Sequence, residues 1–199
     1  KDIAMNQEPL LRPLLATFGV LTLVTGLAYP MLVTLSARLL FPDQAAGSLI
    51  VRDGHLVGSR LIGQTFDQPG FFWSRPSATG PEPYNGQASS GSNLGPTNPA
   101  LAQAVKERAA ALRIAHPERA DTAIPGDLLT ASASGLDPHI SPAAAHWQIE
   151  RVARERQLSV AVVTDLVSAN TEGRLWGIFG EPVVNVLALN LALDKVKSH

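Results

Sequence analysis

The stretch PLLATFGVLTLVTGLAYPMLVTLSA, Pro13 to Ala37, contains no charged side chain. At about 1.5 Å per residue, a helix of this length crosses the roughly 30 Å hydrocarbon core of a bilayer, with Arg12 and Arg38 at the two interfaces. Read this way it is a single transmembrane helix, and everything after it depends on the side on which it emerges. A secretory signal and a buried core helix are the competing readings. A signal has a shorter apolar core, and the run ahead of Thr34-Leu35-Ser36-Ala37 is too long for one. The chain therefore divides into a tail at 1–11, a transmembrane helix at 12–41 and one soluble domain at 42–199.

Inside the span, Gly19, Thr22 and Gly26 recur at helical spacing and form a strip of small residues against which another helix backbone can pack closely. Pro30 removes a backbone hydrogen bond and is expected to bend the outer half, with a partner helix or Thr and Ser hydroxyls compensating. Packing on another membrane protein is the functional reading of these four residues. The general frequency of Gly and Pro in transmembrane helices is the alternative. Charge hardly decides topology: Lys1 and Arg12 precede the span, Arg38 and Arg52 follow it, and a long domain translocates regardless of so small a bias.

Beyond the helix, about 155 residues remain, enough for one domain with its own core. A formal net charge of -1 over 199 residues argues against nucleic acid or an anionic membrane surface as the main partner. No cysteine is present, which removes disulfides, thiolate nucleophiles and Cys-based zinc sites and leaves the redox compartment open.

Local signals place the elements. Phe41-Pro42 ends the helix. Asp53-Gly54 between SLIVR and HLVGSRLIG predicts a β-hairpin within Gly47 to Phe66, because both turn positions require positive φ. Phe66, Phe71, Phe72 and Trp73 read as core rather than as a ligand-stacking platform. From Ser74 to Pro99 the chain is dense in Pro, Gly, Ser and Asn, and no helix or central strand persists through it. A loop that long is functional or disordered. Tyr84, Asn85 and the Ser and Asn side chains can order it through local hydrogen bonds. Asn98-Pro99 and Ser141-Pro142 each start a helix. The first carries the stripe Leu101, Val105, Ala109, Leu112; the second buries Ala145, Ile149 and Val152, with Glu150 and Arg154 placed to pair at i,i+4. Ser159 caps a third helix whose apolar residues occupy two faces, a pattern expected of a buried helix. Pro182 to Val186 predicts a short strand, and LALNLALDKV a closing helix with Lys195 and Lys197 near its negative end. Strands and helices are mixed, so the fold class is α+β.

Motifs for chemistry are missing. No GxxxxGK[ST] or GxGxxG cradles phosphate. Asp137, His139 and His146 match no standard metal-ligand spacing, so no metal site is expected. Ser132, Ser134, Asp137 and His139 contain the residue types of an acyl-transfer triad, but no GxSxG elbow positions a serine. A membrane-tethered hydrolase would show activity that Ser134→Ala or His139→Ala abolishes.

From Leu11 to Asp194 the sequence resembles the C subunit of the Kdp-type potassium-transporting ATPase of bacteria. The landmarks are LRP before the span, GSLI at Gly47, LIGQ at Leu61, RPSAT at Arg75, YN at Tyr84-Asn85, SGSNL at Ser90 to Leu94 and NPAL at Asn98. LTASASGLDPHISP at Leu129, RVA at Arg151 and EPVVNVLALNLALD at Glu181 complete them. The resemblance implies a non-catalytic accessory subunit of an ATP-driven potassium importer that supports assembly and modulates uptake and ATPase activity. Its implied partners are a channel-like potassium-binding subunit, a catalytic P-type ATPase subunit, a small stabilising peptide and membrane lipid, with no nucleic acid. No cofactor of its own is expected; the complex uses ATP, magnesium and potassium. The chain itself has no DKTG run for an aspartyl-phosphate and no TVGYG-like filter.

The resemblance also implies a single-pass protein of the bacterial inner membrane, N-terminus in the cytoplasm and domain outside. Placed there, Ser132 to Asp137 cannot touch cytoplasmic ATP, and any effect on the ATPase travels through the helix or the assembled complex. The alternative, a nucleotide-binding chaperone of the catalytic subunit, needs a cytoplasmic domain whose serine-rich turn offers backbone N–H groups to phosphate. The expected partner-contact surfaces are the 74–99 loop, with Tyr84, Asn85, Ser90, Ser92 and Asn93, and the 129–142 run, with Ser132, Ser134, Asp137 and His139.

Overall fold

A computed structural model describes residues 10–196, so the expected tail at 1–11 lies almost wholly, and Lys197 entirely, outside the described residues. The chain separates into two compact units, 1–48 and 49–199.

The first unit is a 30-residue apolar helix, Leu11–Leu40, long and apolar enough to cross a membrane. It comprises α1 (Leu11–Leu23), a widened π turn (Val24–Ala28) and α2 (Tyr29–Leu40), followed by the short α3 (Pro42–Ala45). The π turn is the local answer to Pro30. Pro30 has no N–H to give, and the helix takes up an i,i+5 bond from Tyr29 N–H to Val24 O just before it. The Thr25 hydroxyl donates to Leu21 O at 2.8 Å. Gly26 lies inside this turn, and a Cβ added at Gly19 or Gly26 would meet nothing within 4 Å.

The second unit is α+β. Strands β1 (Leu49–Arg52) and β2 (His55–Ser59) form the expected hairpin, with Asp53 at φ 53° and Gly54 at φ 78°. After β2 no strand or helix forms until α4 (Pro99–Ala115). Asn98 caps α4 by accepting from Ala100 N–H, and of its stripe only Leu112 is fully buried. Then follow β3 (His139–Ile140), α5 (Pro142–Arg156), α6 (Val160–Ala169), β4 (Thr171–Glu172), β5 (Val183–Asn185) and α7 (Val186–Leu193). Ser141 caps α5 through Ala144 N–H, Ser159 caps α6 through Val162 N–H, and Asn185 caps α7 through Ala188 N–H. Each such cap stabilises its helix by about 1 kcal/mol. The strands β3, β5 and β4 make a small antiparallel sheet with Val184 between Ile140 and Thr171.

The core packs Phe72, Ile140, Ala145, Val152, Val163, Val167, Val184, Leu189 and Leu193. Phe72 enters from the irregular segment, which explains how a segment with neither helix nor strand is held. Asn190 on α7 accepts from Phe72 N–H at 2.9 Å and donates to Phe72 O at 3.0 Å. Gln148 on α5 does the same for Trp73, at 2.7 and 3.1 Å. Two buried side-chain amides thus pair with backbone where a neighbouring strand otherwise would.

Two expectations need correction. Helix α6 is not buried on two faces: Val163 and Val167 are buried, while Val160 and Val162 are exposed. Glu150 and Arg154 do not pair with each other. Glu150 pairs with Arg119 at 2.7 Å, and Arg154 with Glu118 at 2.6 Å. Charges from the segment after α4 reach α5 and replace the weaker i,i+4 contact.

Candidate functional site

The two runs singled out in the sequence pack against each other. Ser77 Oγ donates to Gly135 O at 2.7 Å and accepts from Tyr84 N–H at 2.9 Å. Ser89 Oγ donates to Ser134 O at 3.0 Å. Gly135, at φ +67°, lies so close to the 74–99 loop that an added Cβ would stand 2.7 Å from Ser90 O. Glycine there is needed both for conformation and for space. Gly63 closes the layer from below: its N–H donates to Leu136 O at 2.8 Å, and an added Cβ would overlap the Tyr84 ring.

Within the loop, side chains replace regular structure. Tyr84, at φ 59°, donates its phenol to Arg75 O at 2.5 Å, and burial pushes that phenol upward from its ordinary pKa. Thr79 Oγ1 donates to Glu82 O at 2.7 Å and accepts from Asn85 N–H at 3.0 Å. Asn85 bonds Gly80 O and Gln87 N–H. Ser90, Ser92 and Asn93 lie exposed on the outer side, and Ser90 Oγ bonds only Gly91 O.

On the facing run, Ser132 Oγ accepts from Gly135 N–H at 2.8 Å and Ser134 Oγ from Leu136 N–H at 3.1 Å. Asp137 accepts from Arg75 at 2.7 Å and from His139 N–H at 3.0 Å, with His139 Nδ1 3.5 Å away. Burial alone would raise the Asp137 pKa. The hydrogen bonds from His139 and the Arg75 guanidinium outweigh it and hold the carboxyl at about 2. The serines therefore cap a turn, and the Asp137–His139 pair is joined to Arg75, not to a serine. The triad residue types are present without a triad's hydrogen bonds. His146 is exposed on α5, and among the described residues no three His, Cys, Asp or Glu cluster as metal ligands.

Sequence reasoning missed the network that supports this surface. Arg151 is fully buried in α5. Its Nε donates to His116 Nε2 at 2.8 Å, its other nitrogens reach Gln148 Oε1 at 2.8 Å and Pro69 O, and its guanidinium lies 4.3 Å from the Trp73 ring centroid. His116 Nδ1 is bonded to Leu112 O at 2.8 Å. Because Nε2 accepts, the proton sits on Nδ1, and burial followed by the Arg151 charge lowers the ring to about 4. Burial also lowers Arg151, to about 10, which leaves it charged at neutral pH. The one available signal was an arginine set inside the apolar stripe of α5.

Comparison with known proteins places the chain. The family model described as KdpC, K+-transporting ATPase, c chain, matches residues 11–195. A Potassium-transporting ATPase KdpC subunit of Variovorax paradoxus (strain S110) is 63% identical over 184 residues, covering 92% of this chain and 95% of its own. The protein of the same name from Sorangium cellulosum (strain So ce56) is 64% identical over 184 residues, 92% of this chain and 96% of that one. The one from Dechloromonas aromatica (strain RCB) is 60% identical over 189 residues, 95% and 98% of the two chains. With the match running from the start of the apolar helix to the residue pair that follows α7, the chain belongs to the KdpC family, the c chain of the K+-transporting ATPase.

Proposed function

We propose that this chain is an accessory subunit, without catalytic chemistry of its own, of an ATP-driven potassium import complex in the bacterial inner membrane. Its apolar helix packs by Gly19, Thr22, Gly26 and Pro30 on the channel-like potassium-binding subunit. Its domain lies outside the cytoplasm and presents the 74–99 and 129–142 loops to that subunit. ATP, magnesium and potassium are handled by the complex, in which the P-type subunit hydrolyses ATP and a small peptide stabilises the assembly.

The observation that supports this reading is the interlock of the two loops. Ser77, Thr79, Tyr84, Ser89, Ser132 and Ser134 direct their oxygens at backbone groups. Two long irregular segments thereby become one preorganised surface, which loses less entropy when a partner docks. The nucleotide-chaperone reading has less support, because Gly135 and Leu136 N–H already donate to Ser132 and Ser134.

The test is deletion of the Tyr84 to Gly91 tip in cells that depend on the complex. Weaker co-purification of the subunits or a lower potassium affinity of uptake is expected. Uptake and assembly at wild-type levels would remove this surface from the partner interface.

A further inference from the structure

Residues Arg174 to Glu181, RLWGIFGE, form a protruding tip between β4 and β5 that the interlocked loops do not use. Every residue from Glu172 to Glu181 is exposed. Leu175 N–H donates to Phe179 O at 2.9 Å and Phe179 N–H to Leu175 O at 3.0 Å, while Gly177 and Ile178 N–H turn back to Arg174 O and Leu175 O. At the base, Arg174 holds both oxygens of Glu181, at 2.9 and 2.8 Å. Reciprocal bonds between Leu175 and Phe179 close the turn, and the Trp176 and Phe179 rings meet edge to face with centroids 6.2 Å apart. Leu175 is 61% exposed, Trp176 82%, Ile178 72% and Phe179 60%. Trp176 also takes a positive φ of 54° beside Gly177 at 76°. A turn that only closed a hairpin would place Asn or Asp there, as Asp53-Gly54 does in the β1–β2 hairpin.

We infer that this tip inserts into the interfacial layer of the bilayer that the chain's own helix crosses, an inference that rests on reading Leu11–Leu40 as membrane-spanning. Eight residues, 41–48, join Leu40 to β1, so the domain follows the span directly along the chain. From Leu175 to Phe179 the only side-chain hydrogen-bonding group is the Trp176 indole N–H, and indole rings favour the water–hydrocarbon boundary. Four of the five backbone N–H groups from Leu175 to Phe179 are paired within the turn, which lowers the cost of entering an apolar medium. The Arg174–Glu181 pair is neutral overall and lies at the base, where it reaches headgroups. A socket on a protein subunit is the competing occupant.

The chain's tryptophans make the test direct: Trp147 belongs to the core, Trp73 packs against it, and Trp176 is exposed. The full chain is reconstituted in phosphatidylcholine vesicles with brominated acyl chains, and flotation after an alkaline wash establishes insertion of the helix. Quenching by bromine is expected for the inserted wild type, absent in Trp176→Phe and sharply reduced in the Leu175→Ser/Ile178→Ser double variant. An inserted chain whose Trp176 ignores bromine and stays open to acrylamide would overturn the inference. So would protection that arises only when the other subunits of the complex are added, which would assign a protein socket. A chain that does not float removes the membrane-spanning reading and this inference with it.

Discussion

Replacing His116 with glutamine should flatten the acid side of the stability profile. The ring is fully buried between Trp73 and Trp147, with centroids 5.6 and 4.2 Å away. Protonation would fill the Nε2 lone pair that accepts from Arg151 and place a second cation against that guanidinium. The ring's pKa therefore falls from 6.5 to about 4. Between these values the unfolded chain binds a proton that the folded chain refuses, so this stability is complete above pH 6.5 and is lost as pH falls through 4. At 1.36 kcal/mol per unit, the loss is about 3 kcal/mol. Glutamine keeps an acceptor for Arg151 and does not titrate. Urea unfolding of the full chain in detergent, followed by tryptophan fluorescence at pH 7, 5.5 and 4, should show the wild type weakening steeply and the variant weakening much less. Equal slopes in the two proteins would refute the assignment of a neutral His116.

Other substitutions test the remaining parts. Arg151→Met should cost about 1–3 kcal/mol in the same unfolding assay, because the buried His116 Nε2 loses its donor. Gly135→Ala forces a side chain against Ser90 O and Thr79 at a positive φ; it should cost at least about 1–3 kcal/mol and raise protease cleavage within 74–99. Gly26→Leu should weaken co-purification with the other membrane subunits while leaving the unfolding of the soluble domain unchanged. Asp137→Asn should remove a stabilising contribution that is complete above the ordinary carboxylate range near 3.8 and lost as pH falls through about 2; the wild-type and variant unfolding curves should converge at the acid end.

What was legible in the sequence was local. Asn98, Ser141 and Ser159 announced three helices because a cap acts within three residues, and Asp53-Gly54 announced a hairpin because the two-residue turn dictates its own chemistry. The π turn before Pro30 escaped because proline shows that a hydrogen bond is lost but not how the helix rearranges. Glu150 and Arg154 were misassigned because helix spacing names the near partner, whereas Arg119 and Glu118 arrive through the fold. The same limit hid His116, 35 residues from Arg151, and Asn190, 118 residues from Phe72. The 74–99 run could be recognised by composition and the 129–142 run by its family resemblance, but their interlock depends on Gly63, Gly91 and Gly135 allowing backbones to approach, which only the assembled domain displays.

The most direct measurement uses the absence of cysteine in the native chain. A Ser90→Cys variant, exposed on the outer side of the loop surface, is treated with a membrane-impermeant thiol reagent in intact cells. Labelling without lysis is the predicted result: it puts the loop surface outside, beyond the reach of cytoplasmic ATP and on the side from which potassium enters. Labelling only after lysis, in folded and inserted chain, would contradict the account and move the nucleotide-chaperone reading ahead of it.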